Sequence, residues 1–441
     1  MTTLQLAPVR ATSPRVVRAV LGLGTFLLYL LTASYTVQSI DTVSTYIPAW
    51  QLAHHGTLSV DRFADPDLWF VHAHGRLVSN RFPGAILLAT PFYLLLDHSS
   101  APLPLVANLT AAVATAGAVC ALHALLHRVA DGRTALLGAL LMAVGTPTWE
   151  VSGSALWTHG PAQLWLLLGL LAVAHERLLL AGPAFGAAVL TRPHLAVVPA
   201  VLGAAVAVRA RSSRPALQLG LGSAAGVLGL LLYDRVLYGG WTLGGDYGSR
   251  LAGGGSSTAQ LHLGGVGPRA FVVGLFGTLV SPARGVLVLS PFLVLLLPGL
   301  PAAWRAGPPW ARAAALGGLV YLACQLWLDE FSGGYGFPGY RVPLEPLTLT
   351  APLLALSHAA WTARRRWRRR AFVLAAAVSV AVQALGAVGP SDSPGRPDVW
   401  THLEPFAVLR AHAPLWAVVP LASAALVLVV ARRSGALRAS A

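Results

Sequence analysis

Lysine is missing altogether: all 31 basic residues of the 441-residue chain are arginine. Charge of either sign is scarce, at 11% of residues, and only 16 residues are acids. So little charge excludes a soluble domain of any size. The 55% hydrophobic content, spread as apolar runs over the whole length, reads instead as a polytopic membrane protein. A net charge of +15 would suggest nucleic acid in a soluble chain. Here the arginines fall in short clusters between apolar runs, where cytoplasmic flanks belong, so no nucleic-acid partner is expected. Cysteine is nearly absent, and Cys120 and Cys324 stand far apart inside apolar runs, which excludes a disulfide framework. Internal repeats and acids within the span interiors are also wanting, against the usual build of an inverted-repeat or ion-coupled carrier.

Roughly 20 apolar residues cross a bilayer, and arginine-rich loops stay in the cytoplasm. These rules predict about twelve crossings, near residues 17–36, 104–126, 134–148, 161–175, 182–191, 194–208, 216–236, 285–303, 312–328, 343–362, 371–389 and 414–431. The whole chain is then one integral membrane domain: a first span at 17–36, an external loop at 37–103, the remaining spans over 104–431 and a tail at 432–441. Both termini are expected in the cytoplasm, with the protein in a plasma or inner membrane. Arg10, Arg15 and Arg18 precede the first run without a small-residue cleavage site, so an uncleaved first span is expected. Pro83–Leu96 is apolar but short and broken by Pro91, and a crossing there would invert every later arginine cluster. It is expected as an interfacial or re-entrant helix of the first external loop. By the same parity, two short crossings meet at an external Arg192. The cytoplasmic side then holds 20 arginines and two acids, Asp131 and Glu176, leaving 11 arginines and 14 acids outside.

Chemistry is therefore expected on the external side. Asp41 heads its first loop, its place set by the preceding span, and fixed placement near the membrane surface is what a general base needs. Glu150 and His159 flank a second external turn with Trp149 and Trp157. Arg192, Arg250, Arg284 and Arg341 stand at external helix ends, where a cation can grip a phosphate. The Gly-rich stretch 237–269, holding Asp246 and Tyr247, matches no phosphate loop and suits a gating loop or linker. Asp329, Glu330, Tyr335 and Tyr340 mix acids with rings, a surface suited to a sugar. His54, His55, His72 and His74 match no zinc spacing. No cofactor is expected, with a divalent cation on Asp41 and another external acid kept as an alternative.

Several pieces, in order, resemble the GT-C membrane glycosyltransferases that use polyprenyl-phosphate sugars, such as the dolichyl-phosphate-mannose mannosyltransferases. They are Asp41 after the first span, Asn80-Arg-Phe-Pro-Gly84, Gly145-Thr-Pro with Trp157-Thr-His159, Leu190-Thr-Arg-Pro193, Ser281-Pro-Ala-Arg-Gly285, and Gly333-Gly to Arg341. Asp41 stands without the acidic neighbour common in that superfamily. The resemblance implies an all-α GT-C bundle and an inverting transfer of a hexose or pentose on the outer face, from a polyprenyl-phosphate-linked sugar to a lipid or glycan acceptor of the cell envelope. It implies Asp41 as general base, Arg341, Arg192 and Arg284 on the donor phosphate, and Glu150, His159, Asp246, Tyr247, Asp329, Glu330 and Tyr340 on sugar or acceptor. The chain carries no large soluble C-terminal domain of the kind oligosaccharyltransferases have, so a compact enzyme is expected. A flippase of lipid-linked saccharide and a non-catalytic envelope-assembly protein are the alternatives.

Overall fold

Proline stands in the first turn of several of the described helices, since its missing N–H falls where a helix leaves donors unused. In the computed structural model, which describes residues 13–33, 39–63, 70–241, 243, 267–328, 331–334, 337–389, 399–401, 403 and 415–433, Pro14 opens α1 (Pro14–Leu31). The first span thus stops at Leu31, not at residue 36, and Asp41 does not sit on its exit. Asp41 lies in the first turn of a separate helix, α2 (Ile40–His55), whose Ser39 cap accepts the Asp41 N–H at 3.2 Å. A hairpin follows, β1 (Phe70–Ala73) against β2 (Arg76–Ser79). Then come α3 (Pro83–Leu96), α4 (Pro104–Leu126), α5 (Gly132–Val144), α6 (His159–Ala174), α7 (Leu178–Thr191), α8 (Val197–Ala210) and α9 (Arg214–Tyr238). The rest is α10 (Pro268–Val280), α11 (Val286–Leu289), a 3-10 stretch at Pro291–Gly299, α12 (Leu300–Ala306), α13 (Pro309–Leu328), α14 (Leu344–Ser357), α15 (Arg366–Val388) and α16 (Leu415–Arg433).

Among the described residues, six helical segments are long and apolar enough to cross a bilayer: α1, α4, Pro193–Ala210, α9, α13 and α15. Of the other six expected crossings, one falls on α16 and five on shorter helices, a form a membrane protein tolerates where neighbouring protein covers the breaks. One short apolar helix, α10, lies inside what the sequence suggested was an external loop. Pro83–Leu96 is a helix that packs on the N-terminal half of α4 and on α2, with Ile86, Ala89 and Tyr93 against Val106, Ala107 and Trp50. Its Tyr93 hydroxyl reaches the Leu103 carbonyl at 3.0 Å, so its far end stays beside the start of α4. Pro193 separates α7 from α8 at Arg192.

Helix ends converge at one pole. Tyr29 of α1 reaches the last turn of α5 at 3.0 Å, and Trp149 reaches Thr32 at 2.9 Å. Arg192, just past α7, meets Tyr321 and Gln325 near the end of α13. The starts of α6 and α14 meet through His159 and Glu345. The arginine-bearing connections α4–α5, α6–α7, α8–α9, α12–α13 and α14–α15 are consequently at the opposite pole. A buried core of Leu122, Leu166, Phe185, Leu202, Tyr321 and Leu349 joins α4, α6, α7, α8, α13 and α14 beneath the convergence. Helices α7 and α9 touch backbone to backbone: a Cβ at Gly222 would lie 2.6 Å from Gly182, and one at Gly226 2.2 Å from Gly186. Glycines four apart on each helix permit this approach where apolar lipid offers little driving force.

Candidate active site

Asp41 is anchored at its backbone by the Ser39 cap and by Thr45, whose hydroxyl donates to the Asp41 carbonyl at 2.7 Å. Among the described residues no backbone N–H donates to its carboxylate, which goes to two guanidiniums. Arg81 donates to Oδ1 at 2.5 Å and Arg341 to Oδ2 at 2.7 Å, with the three side chains 12 to 19% exposed. Burial works to raise the Asp41 pKa, but the charges of Arg81 and Arg341 outweigh it and hold the carboxyl at about 2.

Each arginine is held by its surroundings. Arg81 directly follows the β2–Asn80 segment, whose Ser79 hydroxyl donates to the Ser44 carbonyl of α2 at 2.5 Å. The last turns of α9 hold the other side, with Tyr238 donating to the Ser79 carbonyl at 2.6 Å and Tyr233 to the Arg81 carbonyl at 3.2 Å. Arg341 lies over Trp157 and Phe337, with ring centroids at 4.8 and 4.9 Å. Gly333, at φ 69°, runs so close that a Cβ would stand 2.9 Å from the Arg341 side chain.

Beside this pair, fully buried Glu345 at the head of α14 accepts from Nδ1 of His159 at 2.8 Å. Arg192 stands 3.6 Å from the same carboxylate oxygen and 3.2 Å from His159 Nε2, and donates to Gln325 at 2.7 Å and Tyr321 at 2.9 Å. Arg192, read from sequence as a phosphate contact, is thus engaged in fixing His159 and Glu345.

Arg284 is placed differently from the sequence expectation. Only 2% exposed, it donates to the carbonyls of Gly339 at 2.6 Å, Phe337 at 3.0 Å and Gly334 at 3.5 Å, and lies over the Phe337 ring. Its charge is spent on fastening the loop that carries Arg341, because carbonyls folded over a buried guanidinium satisfy it more cheaply than water it cannot reach. Arg284→Ala should loosen that loop and cost about 2 to 3 kcal/mol, since carbonyls that met a charge lose their donor. Thermal unfolding of the purified protein checks it, and Arg284→Lys should recover little, one ammonium being unable to span three carbonyls.

Glu150 is 4% exposed and sits beneath the same loop: a Cβ at Gly339 (φ 74°) would lie 2.1 Å, and one at Gly386 1.8 Å, from its carboxylate. Tyr340 is buried and bonded to Ser290 at 2.8 Å, under the loop as well. The structure therefore gathers Asp41, Arg341, His159 and Arg192, and sets Arg284, Glu150 and Tyr340 behind them. Asp246, Tyr247, Asp329 and Glu330 lie outside the described residues. Among the described residues no three His, Cys, Asp or Glu side chains come together as a metal would require. Arg81 and Glu345 carried no assigned role in the sequence reading. Their signals were an arginine inside Asn80-Arg-Phe-Pro-Gly84 and an acid between Pro343 and Pro346 at the head of an apolar helix.

A bundle of whole and broken helices with a helix-and-hairpin first loop is also the fold of a solved archaeal oligosaccharyltransferase. The apo crystal structure of the Archaeoglobus fulgidus oligosaccharyltransferase matches with a TM-score of 0.52 at 13% identity, over 88% of this chain and 59% of that one. The same enzyme tethered through a disulfide to an acceptor peptide containing the NVT sequon gives 0.50 at 14% identity, over 86% and 56%. This chain thus spans less than two thirds of the length of those chains, and the likeness is one of fold. No protein-family profile and no curated protein matches the sequence.

Proposed function

We propose that the chain is an inverting glycosyltransferase that moves a sugar from a polyprenyl phosphate to a lipid or glycan acceptor on the outer face of a cell membrane, with both termini in the cytoplasm. The observation that carries this reading is Asp41, a partly exposed carboxylate at the convergence of helix ends with Arg81 and Arg341 on its two oxygens. Asp41 takes the proton from the acceptor hydroxyl as its oxygen bonds to the anomeric carbon. The bond from that carbon to the phosphate oxygen breaks, and its electron pair leaves with the polyprenyl phosphate. One unit of negative charge passes from Asp41 to the phosphate, and no strong acid is needed because cations at the site stabilise that charge. Arg341 is the donor-phosphate residue in this reading, and His159, steadied by Glu345 and Arg192, lies where sugar or acceptor would be ordered.

Native mass spectrometry of the purified protein should find a co-purifying polyprenyl-phosphate sugar. Supplied with that lipid and a glycan acceptor in nanodiscs, the protein should release polyprenyl phosphate and form a product of inverted anomeric configuration. Movement of the intact lipid-linked sugar across proteoliposomes with no covalent change would instead make it a transporter.

A further inference from the structure

We propose that Arg81 and Arg341 together form the phosphate site, that Asp41 occupies this site in the empty chain, and that the arriving phosphate displaces Asp41 and so frees it to act. The inference deepens the glycosyltransferase reading and rests on it for the identity of the phosphate as that of a lipid-linked sugar.

Three features carry it. Two guanidiniums share one carboxylate, which leaves one positive charge in excess in a site 12 to 19% exposed, and such an excess draws a further anion. Of the other arginines beside the site, Arg192 faces its own acid, Glu345, at 3.6 Å, and Arg284, over the same Phe337 ring as Arg341, turns to backbone carbonyls and takes nothing from that excess. Second, the arginines are held and the carboxylate is not. Arg341 is packed over Trp157 and Phe337 with Gly333 against it, and the Arg81 backbone is bonded to Tyr233. Asp41 is fixed only through its main chain, and its carboxylate has no hydrogen-bond partner among the described residues besides the two guanidiniums. Third, a phosphate presents oxygens at nearly the spacing of a carboxylate, so it fits the same two forks.

The exchange explains how a base can lie clasped by two cations. While Arg81 and Arg341 hold it, Asp41 is too weak to take a proton from an alcohol. With the guanidiniums turned to phosphate it regains basicity beside the anomeric carbon, so the base is released only when the donor is present. Water is then not activated in the empty site.

The test is phosphate affinity in the full chain in nanodiscs, by isothermal titration with inorganic phosphate in one arm and a polyprenyl phosphate in the other. Asp41→Asn and Asp41→Ser, made together so that one failing to fold does not remove the test, should bind roughly tenfold tighter than wild type, because the competing carboxylate is gone. Arg81→Gln and Arg341→Gln should each bind at least tenfold more weakly. Tightening in both arms identifies the phosphate group alone as the ligand; tightening only with the polyprenyl phosphate identifies a lipid headgroup whose chain is also held. Asp41 variants that bind neither ligand more tightly overturn the exchange. If those variants also lose transfer, the glycosyltransferase reading stands without it. If affinity tightens while the wild type transfers no sugar, the exchange stands and that reading falls.

Discussion

Asp41→Asn is expected to abolish the proposed transfer, lowering kcat by about a thousandfold, within the range a positioned general base contributes. The amide keeps the size of the carboxylate and can accept from one guanidinium, so the helix start capped by Ser39 and the packing of α2 persist. It cannot take the acceptor proton. Donor binding tightens once the competing carboxylate is gone, so KM falls while the whole loss of rate appears in kcat. Steady-state assays at saturating donor with circular dichroism on the same preparation check this. Wild-type rates from a folded Asp41→Asn protein would remove Asp41 from the mechanism. The depressed pKa, about 2, also says how the clasp responds to acid. A carboxyl whose folded pKa lies below its unfolded value stabilises the fold fully above that unfolded value, and loses the contribution as pH falls through the folded one. The clasp therefore holds throughout the neutral range.

Glu345→Ala is the substitution expected to cost most in stability, about 3 to 5 kcal/mol, because it removes one member of a buried charged group and leaves the others uncompensated. Glu345 is fully buried, 2.8 Å from His159 and 3.6 Å from Arg192. Without it Arg192 retains Gln325 and Tyr321 but faces the imidazole with no anion between them, and the heads of α6 and α14 lose their bond. Thermal unfolding followed by size-exclusion should show the loss. Glu345→Gln should recover part of it, since an amide oxygen still accepts from Nδ1 but carries no charge for Arg192. Equal stability of Glu345→Ala and wild type would mean that the pair is incidental.

Composition made the architecture legible, since acid-poor apolar runs give a polytopic bundle, and the parity of basic loops argued against a crossing at Pro83–Leu96. The structure places that segment beside α4 and the arginine-rich connections at the pole away from Asp41. The end of the first span was less legible, because apolar character runs past Leu31 and only the Ser39 cap marks the new start at α2. Within the site, sequence drew attention to Asp41, whose neighbourhood is unusual locally. Its direct pairing with Arg81 and Arg341 was not legible for a physical reason: they are 40 and 300 residues away, and nothing local records such a contact, although Arg341 itself stood out as a cation for the phosphate. Arg284 illustrates the converse. Its type announced a cation at a helix end, but whether the guanidinium turns outward to a phosphate or inward to Phe337 and Gly339 depends on a loop 50 residues on.

The glycine contact of α7 with α9 has a bearing on all of this. Helix α7 ends one residue before Arg192, and α9 ends in the two tyrosines that hold Ser79 and Arg81. One half of the site is therefore hung from each helix, and where the two touch at Gly182–Gly222 and Gly186–Gly226 no side chain stands between them to yield. The pair works as a ruler cut in main chain: the offset between the His159 group and the Asp41 group is set by the thickness of two backbones, a length that no rotamer can change.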